Sequence, residues 1–228
     1  MAFESHVPDL SGRVIVVTGA GGRLGRVVAR QLAAAGARVA GLDRAAHDVG
    51  DVAVQADATH EDEMAAALGR VVAELGDLDG LVHTVGMWAG APFAETTLAD
   101  WRTVLDVNLT SVFVAFRAAV RQMLGDGRHG RLVALASGQG ADRGTAQQAA
   151  YSAAKAGVVR LVESVAAEYR AEDVTAAAVA PSMILYGDEP DGTRGVEADE
   201  VASLCVTLCG PAGAVHSGSV LRAYGSMR

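Results

Sequence analysis

Lysine and asparagine are nearly absent from this chain. Among 228 residues there is one of each, Lys155 and Asn108, while the other members of a set of nineteen basic residues are all arginine. A composition rich in Ala, Gly, Val and Arg depletes both residue types, so a position that keeps one is a candidate for needing it chemically. Basic runs and aromatic–basic stripes are missing too. Acidic residues outnumber basic ones 27 to 19, for a net charge of -8, which excludes a nucleic-acid partner from the expectations. Cysteine is scarce, with only Cys205 and Cys209 in LCVTLC. Their spacing puts them on one helix face as small core hydrophobes of a reducing compartment, and with the six histidines scattered, no metal site is expected. No apolar run reaches the roughly eighteen residues of a membrane span, and the N-terminus lacks a cationic start followed by an apolar block. A soluble cytoplasmic protein is predicted, with no membrane partner. The length suits one domain over residues 1–228.

What is present is an alternation. RVIVVTG (13–19), ARVAGLD (37–43), VAVQAD (52–57), LDGLVHTVG (78–86), GRLVALAS (130–137) and VTAAAVA (174–180) read as strands. Between them LGRVVARQLAAAG, EDEMAAALGRVVAELG (61–76), a segment from about Leu98 through Asn108 to Leu124, and residues 149–170 carry helical spacing. Apolar strands alternating with amphipathic helices predict an α/β fold, a doubly wound Rossmann domain with a mainly parallel sheet covered on both faces. Residues 181–199 show no clear period and are expected to form a substrate loop.

In such a sheet the ligand lies at the carboxyl ends of the strands, and the first strand–helix turn meets phosphate with helix N–H groups. That turn is TGAGGRLGR (18–26). It does not fit G-x-G-x-x-G, but it does fit T-G-x-x-G-x-x-G with Gly19, Gly22 and Gly25. Asp43 ends the second strand, where a carboxylate accepts hydrogen bonds from ribose hydroxyls and repels a 2′-phosphate. NAD is therefore the expected cofactor. Arg23 and Arg44 are within reach of a 2′-phosphate, which keeps NADP open.

AAYSAAKAG places Tyr151 and Lys155 four residues apart on one helix face. A phenol near pKa 10 is a poor base at neutrality, and a nearby ammonium favours the phenolate. The chain's sole lysine thus sits where it would tune an acid/base catalyst.

With these residues in view, the chain resembles the short-chain dehydrogenase/reductase family along nearly its whole length. The family pattern of a glycine-rich turn, an Asn, a Ser and Tyr-x-x-x-Lys is matched by TGAGGRLG, Asn108 in DVNLTS, Ser137 in ALASGQG, and Tyr151 with Lys155. The resemblance implies that Tyr151 exchanges a proton with a carbonyl or alcohol oxygen while hydride moves to or from nicotinamide. It also implies that Ser137 binds that oxygen, that Lys155 binds the nicotinamide ribose, and that Asn108 holds a relaying water. Cofactor contacts are implied at Gly19, Gly22, Arg23, Leu24 and Gly25, at Asp43 and Arg44, at Asp57 with Ala58, and at Gly86, Pro181 and Ser182, besides Tyr151 and Lys155. Four departures stand out: Arg23 replaces a family glycine, HTVG (83–86) replaces Asn-Asn-Ala-Gly, Ser182 replaces a glycine after Pro181, and fourteen residues separate Ser137 from Tyr151. His83 reads as a packed, hydrogen-bonded core residue.

For the substrate, Trp88, Ser137, Gln147, Tyr151 and Met183, with Met87, Gln139 and Tyr186 nearby, predict an apolar pocket with few charged anchors. It would suit a neutral or hydrophobic small molecule, a 3-oxoacyl compound among the options. Surplus apolar residues on the 149–170 helix (Val158, Val159, Leu161, Val162, Val165), together with the resemblance, predict a homotetramer or homodimer. The same residues would serve a dehydratase or epimerase, and the scaffold would also suit a nucleotide-binding sensor.

Overall fold

The computed structural model describes residues 8–125 and 129–225; the first seven residues, part of the N-terminal stretch read above for an export signal, lie outside them. The chain lays down β1 (Val14–Thr18), α1 (Arg23–Ala34), β2 (Arg38–Asp43), β3 (Val52–Gln55), α2 (Glu61–Leu75) and β4 (Leu78–His83). It continues with α3 (Leu98–Leu105), α4 (Ser111–Gly125), β5 (Gly130–Leu135), the short α5 (Gly138–Ala141), α6 (Ala149–Glu168) and β6 (Val174–Pro181). The strand pair β7 (Ile184–Leu185) and β8 (Val196–Glu197), then α7 (Ala198–Cys209) and β9 (Val220–Ala223), complete it.

Seven strands form one parallel sheet in the order β3-β2-β1-β4-β5-β6-β9. The chain runs outward from β1 to β3 and then returns to the other side of β1, so the order reverses between β1 and β4. A doubly wound sheet opens its ligand crevice at such a reversal. Both sheet faces are covered. Met64, Leu68, Phe116, Val158 and Val162 pack α2, α4 and α6 on one side, and Val28, Leu32, Val201 and Cys205 pack α1 and α7 on the other. Strands that are buried on both faces must be apolar throughout, which is why β1, β4 and β5 read as unbroken apolar-rich runs.

Helix starts follow local chemistry. Glu61, Asp62 and Glu63 occupy the first turn of α2, against its positive dipole end. Thr97 and Asp100 cap α3 reciprocally. Helix α1 begins after Gly22 with no side-chain cap, so its first N–H groups face the crevice without an internal acceptor.

Three elements depart from the sequence expectation. The helix expected from Leu98 to Leu124 is broken by a π-turn at Asp106–Thr110, centred on Asn108. Leu98–Gly125 is long and apolar enough, by length and composition alone, to cross a membrane, but half of that window is buried inside this fold. Residues 181–199, expected to be irregular, are tied at the base by β7 and β8 pairing in parallel. Strand β9, four residues at the sheet edge, carried too short a pattern to be assigned. Cys205 and Cys209 are free and buried, with both thiols pushed up by burial, Cys209 to about 12.

Candidate active site

Two clefts meet at the carboxyl edge of the sheet. The first, about 530 Å³, lies over the β1/β4 reversal and is lined by Gly19, Gly22, Asp43, Arg44, Asp57, Ala58 and Gly86 among others. Gly19 has φ +72, and a side chain there would press within 2.9 Å of Thr84 Oγ1. Only glycine meets both conditions. Gly25 serves differently: a Cβ there would fall 2.1 Å from the Gly19 carbonyl oxygen, so its bareness lets α1 close against the turn. Leu24 is buried in the core, and neither it nor Gly25 lines the cleft; both shape it from behind.

Asp43 is fixed by two main-chain donors, Gly21 N to Oδ2 at 3.0 Å and Ala45 N to Oδ1 at 3.0 Å. Asp57 Oδ1 accepts from Thr59 N at 2.9 Å and from its hydroxyl at 2.7 Å, and the Thr59 amide holds its carboxyl below the usual range. Arg44 is exposed and lines the same cleft. Arg23, expected among the cofactor contacts, turns elsewhere. Its guanidinium pairs with Asp188 at 2.7 Å and lies 4.0 Å from the Tyr186 ring centroid, joining the glycine turn to the 181–199 loop. A side chain on this first residue of α1 points out of a turn whose inner wall is backbone.

The cleft suits a dinucleotide on its own terms. Uncapped helix N–H groups, a wall that glycines keep bare and a carboxylate at the end of β2 are the acceptors and donors that diphosphate and ribose require.

The second cleft, about 510 Å³, adjoins it and is lined by Trp88, Ser137, Gln139, Tyr151, Pro181, Ser182 and Met183. Tyr151 and Lys155 lie on the first two turns of α6, with Lys155 Nζ 5.9 Å from the Tyr151 ring centroid. Lys155 is buried and donates to the Leu135 carbonyl at 2.8 Å. Burial pulls its ammonium down to about 8. Burial also raises the Tyr151 phenol, against a lowering hydrogen bond from Ser137. The simple expectation that the ammonium lowers the phenol is thus reversed, because both groups are desolvated. Ser137 is itself buried and accepts from Gln139 N at 3.3 Å.

Asn108 completes the group. The π-turn adds a residue to the helix and brings this fully buried amide inward. Nδ2 donates to the carbonyls of Met87 and Val104, each at 2.9 Å, while Oδ1 accepts from Met87 N at 3.1 Å. The segment after β4 is therefore clamped. A Cβ on Gly86 would lie 3.1 Å from Asn108 Oδ1 and 3.4 Å from Lys155 Nζ, so both groups converge on the floor between the clefts.

His83 anchors that floor from below. Strand register sets it beside Thr18, whose hydroxyl lies 2.8 Å from Nδ1, and Nε2 lies 3.0 Å from Ser111 Oγ. Ser111 already donates to the Val107 carbonyl at 2.6 Å, so its oxygen must accept from Nε2–H, and Nδ1 accepts from Thr18. Buried and neutral, with its pKa pulled down to about 3, His83 links the glycine turn to the π-turn.

Some expected residues fall elsewhere and some unexpected ones appear. Gln147 has φ 63, accepts from Ala91 N at 2.8 Å through its carbonyl, and lines a separate hollow of about 330 Å³. Pro181 and Ser182 line the second cleft, and Ser182 is held by its amide on the Ala223 carbonyl at 3.0 Å. Gly138, Asp142, Arg143, Thr145 and Tyr224 also line it. Asp142 and Arg143 are the charged residues of this lining. Tyr224 follows the unassigned strand β9, and VLRAY, a short apolar-rich run ending in an aromatic, was the available signal.

The family model for short chain dehydrogenase matches residues 13–188, covering the first cleft and all of the second but Tyr224. The chain belongs to the short-chain dehydrogenase family. Like its relatives, this short-chain dehydrogenase is an NAD(P)-dependent oxidoreductase acting between carbonyl and alcohol. It is 41% identical over 204 residues to cis-4-hydroxycyclohexanecarboxylate dehydrogenase of Sinomonas cyclohexanicum, covering 84% of this chain and 80% of that protein. To 3-oxoacyl-[acyl-carrier-protein] reductase FabG of Escherichia coli (strain K12) it is 31% identical over 214 residues, covering 90% and 84%. The crystal structure of levodione reductase superposes with a TM-score of 0.87 at 25% identity, covering 96% of this chain and 98% of that one.

Proposed function

We propose that this short-chain dehydrogenase interconverts a secondary alcohol and a ketone on a small molecule, with NAD(H) as the preferred cofactor and Tyr151 as acid/base. The observation that carries the reading is the convergence of Tyr151, Ser137, Lys155 and Asn108 on the boundary between the two clefts. When bound, the nicotinamide supplies or accepts the hydride. The Ser137 hydroxyl orients the substrate oxygen beside the Tyr151 phenol, which gives its proton during reduction and takes one during oxidation. The Lys155 ammonium has donors left after its bond to Leu135, and these hold ribose hydroxyls and stabilise phenolate. Asn108 holds the Met87 main chain and leaves its Oδ1 facing the same spot, where a water can pass protons to Lys155.

Asp43 supports NAD over NADP, since its fixed carboxylate would face a 2′-phosphate across the first cleft, and Arg23, one of the two expected rescuers, is engaged by Asp188. The 181–199 loop covers the substrate, with Met183 on the cleft wall. Two relatives are named for a ring alcohol and for a 3-oxoacyl group, and both compound types carry the alcohol or ketone this geometry would act on. Assembly as a homotetramer or homodimer through the half-buried Leu161 and Val165 face of α6, in the cytoplasm, belongs to the same reading.

The test is nicotinamide absorbance with purified protein, NADH or NADPH, and a panel of cyclic and acyclic ketones and alcohols. NADH oxidation faster than NADPH oxidation on at least one ketone is the expected result. Nucleotide binding with no redox change across the panel would replace this reading by a non-redox enzyme or a nucleotide sensor.

A further inference from the structure

The charged residues lining the second cleft are two neighbours, Asp142 and Arg143, on the segment that follows α5. Their electrostatic situations differ. Asp142 is fully engaged: Arg222 Nε donates to Oδ1 at 2.6 Å, and the Tyr224 hydroxyl donates to Oδ2. These two donors hold its carboxyl below the usual range. Arg143 makes no hydrogen bond or ion pair with the described residues, and its charged neighbour in the cleft, Asp142, is already balanced by Arg222. Asp142 and Arg222 cancel. The remaining wall is neutral, so the cleft keeps one uncompensated positive charge.

That charge is also well mounted. Arg222 and Tyr224 belong to β9 and its exit, so their grip on Asp142 ties the segment between Ser137 and Tyr151 to the edge of the sheet. Arg143 stands one residue from this anchor. A guanidinium with its donors free and its backbone held is suited to a planar two-oxygen anion, which it meets with paired N–H groups.

We propose that the substrate of this site carries an anionic group, a carboxylate in the simplest case, and that Arg143 receives it while the alcohol or ketone end lies at Tyr151 and Ser137. This rests on the oxidoreductase reading for the reacting end only. It departs from the neutral compound that the residue pattern of the sequence favours, and it makes Arg143 a specificity-determining residue.

The probes are cyclohexanecarboxylate and its methyl ester, titrated calorimetrically into the full chain with NAD present. At low salt the acid is expected to bind about fivefold or more tightly than the ester, the upper range for a solvent-exposed ion pair. The margin should shrink in about 1 M salt, where the screening length falls to about 3 Å. Arg143→Gln should erase it, and Arg143→Lys should retain part of it. Equal affinities, binding of neither compound, or a margin that survives Arg143→Gln overturns the proposal. Turnover is read separately with the 4-oxo derivatives of both compounds. Acid-selective binding without NADH oxidation defeats the oxidoreductase reading and leaves the anion site standing; NADH oxidation with equal binding of acid and ester does the reverse.

Discussion

The two clefts are of similar size, about 530 and 510 Å³, yet they are built from different material. The first is made mostly of strand ends and the turns that leave them, with Gly19 and Gly22 after β1, Asp43 ending β2 and Arg44 following it, Asp57 after β3 and Gly86 after β4, and is closed by Met64, Thr103, Asp106 and Val107 from helical segments. Its geometry follows from the parallel sheet itself, and its contacts are largely main chain. The second takes Tyr151 from α6, Gly138 and Gln139 from the short α5 and Pro181 from the end of β6, and much of the rest of its wall comes from four loops, those carrying Trp88, Thr145, Met183 and Tyr224. Conserving a sheet conserves the first cleft, whereas the second changes with any loop. The contrast explains how relatives named for a ring alcohol and for a 3-oxoacyl group share this fold.

Breaking the chemistry while sparing both clefts is the strongest perturbation. Tyr151→Phe should lower turnover by about a thousandfold, within the range for loss of a general acid/base, while nucleotide fluorescence titrations show binding retained. Asp43→Asn acts on the first cleft alone. It keeps an acceptor for Gly21 N but removes the charge, so the NADPH-to-NADH ratio of kcat/KM should rise by about a hundredfold, the scale of relieving a like-charge contact. Steady-state kinetics with both nucleotides checks this.

His83 tests the floor beneath the clefts through stability. Its folded pKa of about 3 lies below the usual 6.5, so protons bind the unfolded chain more readily. The folded state should lose stability as pH falls below about 6.5, levelling off only near 3. In His83→Asn that contribution is absent, and urea midpoints between those pH values should vary less. The smallest expected effect is at Arg23, whose ion pair with Asp188 is exposed. Arg23→Ala should leave the melting temperature nearly unchanged while Tyr186 and Gly187 amides exchange faster, a local loosening of the loop that hydrogen exchange detects.

How much could be read from the sequence divides along the same line. The β1 turn, Asp43, Asp57 and the α6 pair were legible because they sit at fixed offsets from strands and helices whose periodicity is strong. The lone Asn108 and lone Lys155 were legible by rarity. What periodicity hides is a local change of helical pitch: DVNLT looks like ordinary α-helix, and only the folded chain shows the π-turn that swings Asn108 onto Met87. Arg23 and Gln147 show that spacing places a backbone and not a side-chain direction; one turned to Tyr186 and the other took a left-handed conformation. Asp142, Arg143 and Tyr224 meet only through β9, a four-residue edge strand eighty residues from the loop it holds, a distance no local pattern spans. The depressed Lys155 ammonium likewise follows from burial, which composition does not record.

If Tyr151 and buried Lys155 handle protons as one unit, the pH dependence of kcat/KM for ketone reduction will show it. In the proposed mechanism, reduction needs the phenol protonated and the ammonium charged. With the phenol raised and the ammonium at about 8, the ammonium is lost first. Wild-type kcat/KM should therefore hold below that value and fall as pH rises through about 8, and the residual activity of Lys155→Met should show no bend there. A flat wild-type profile, or the same bend in Lys155→Met, would show that the two groups do not act together.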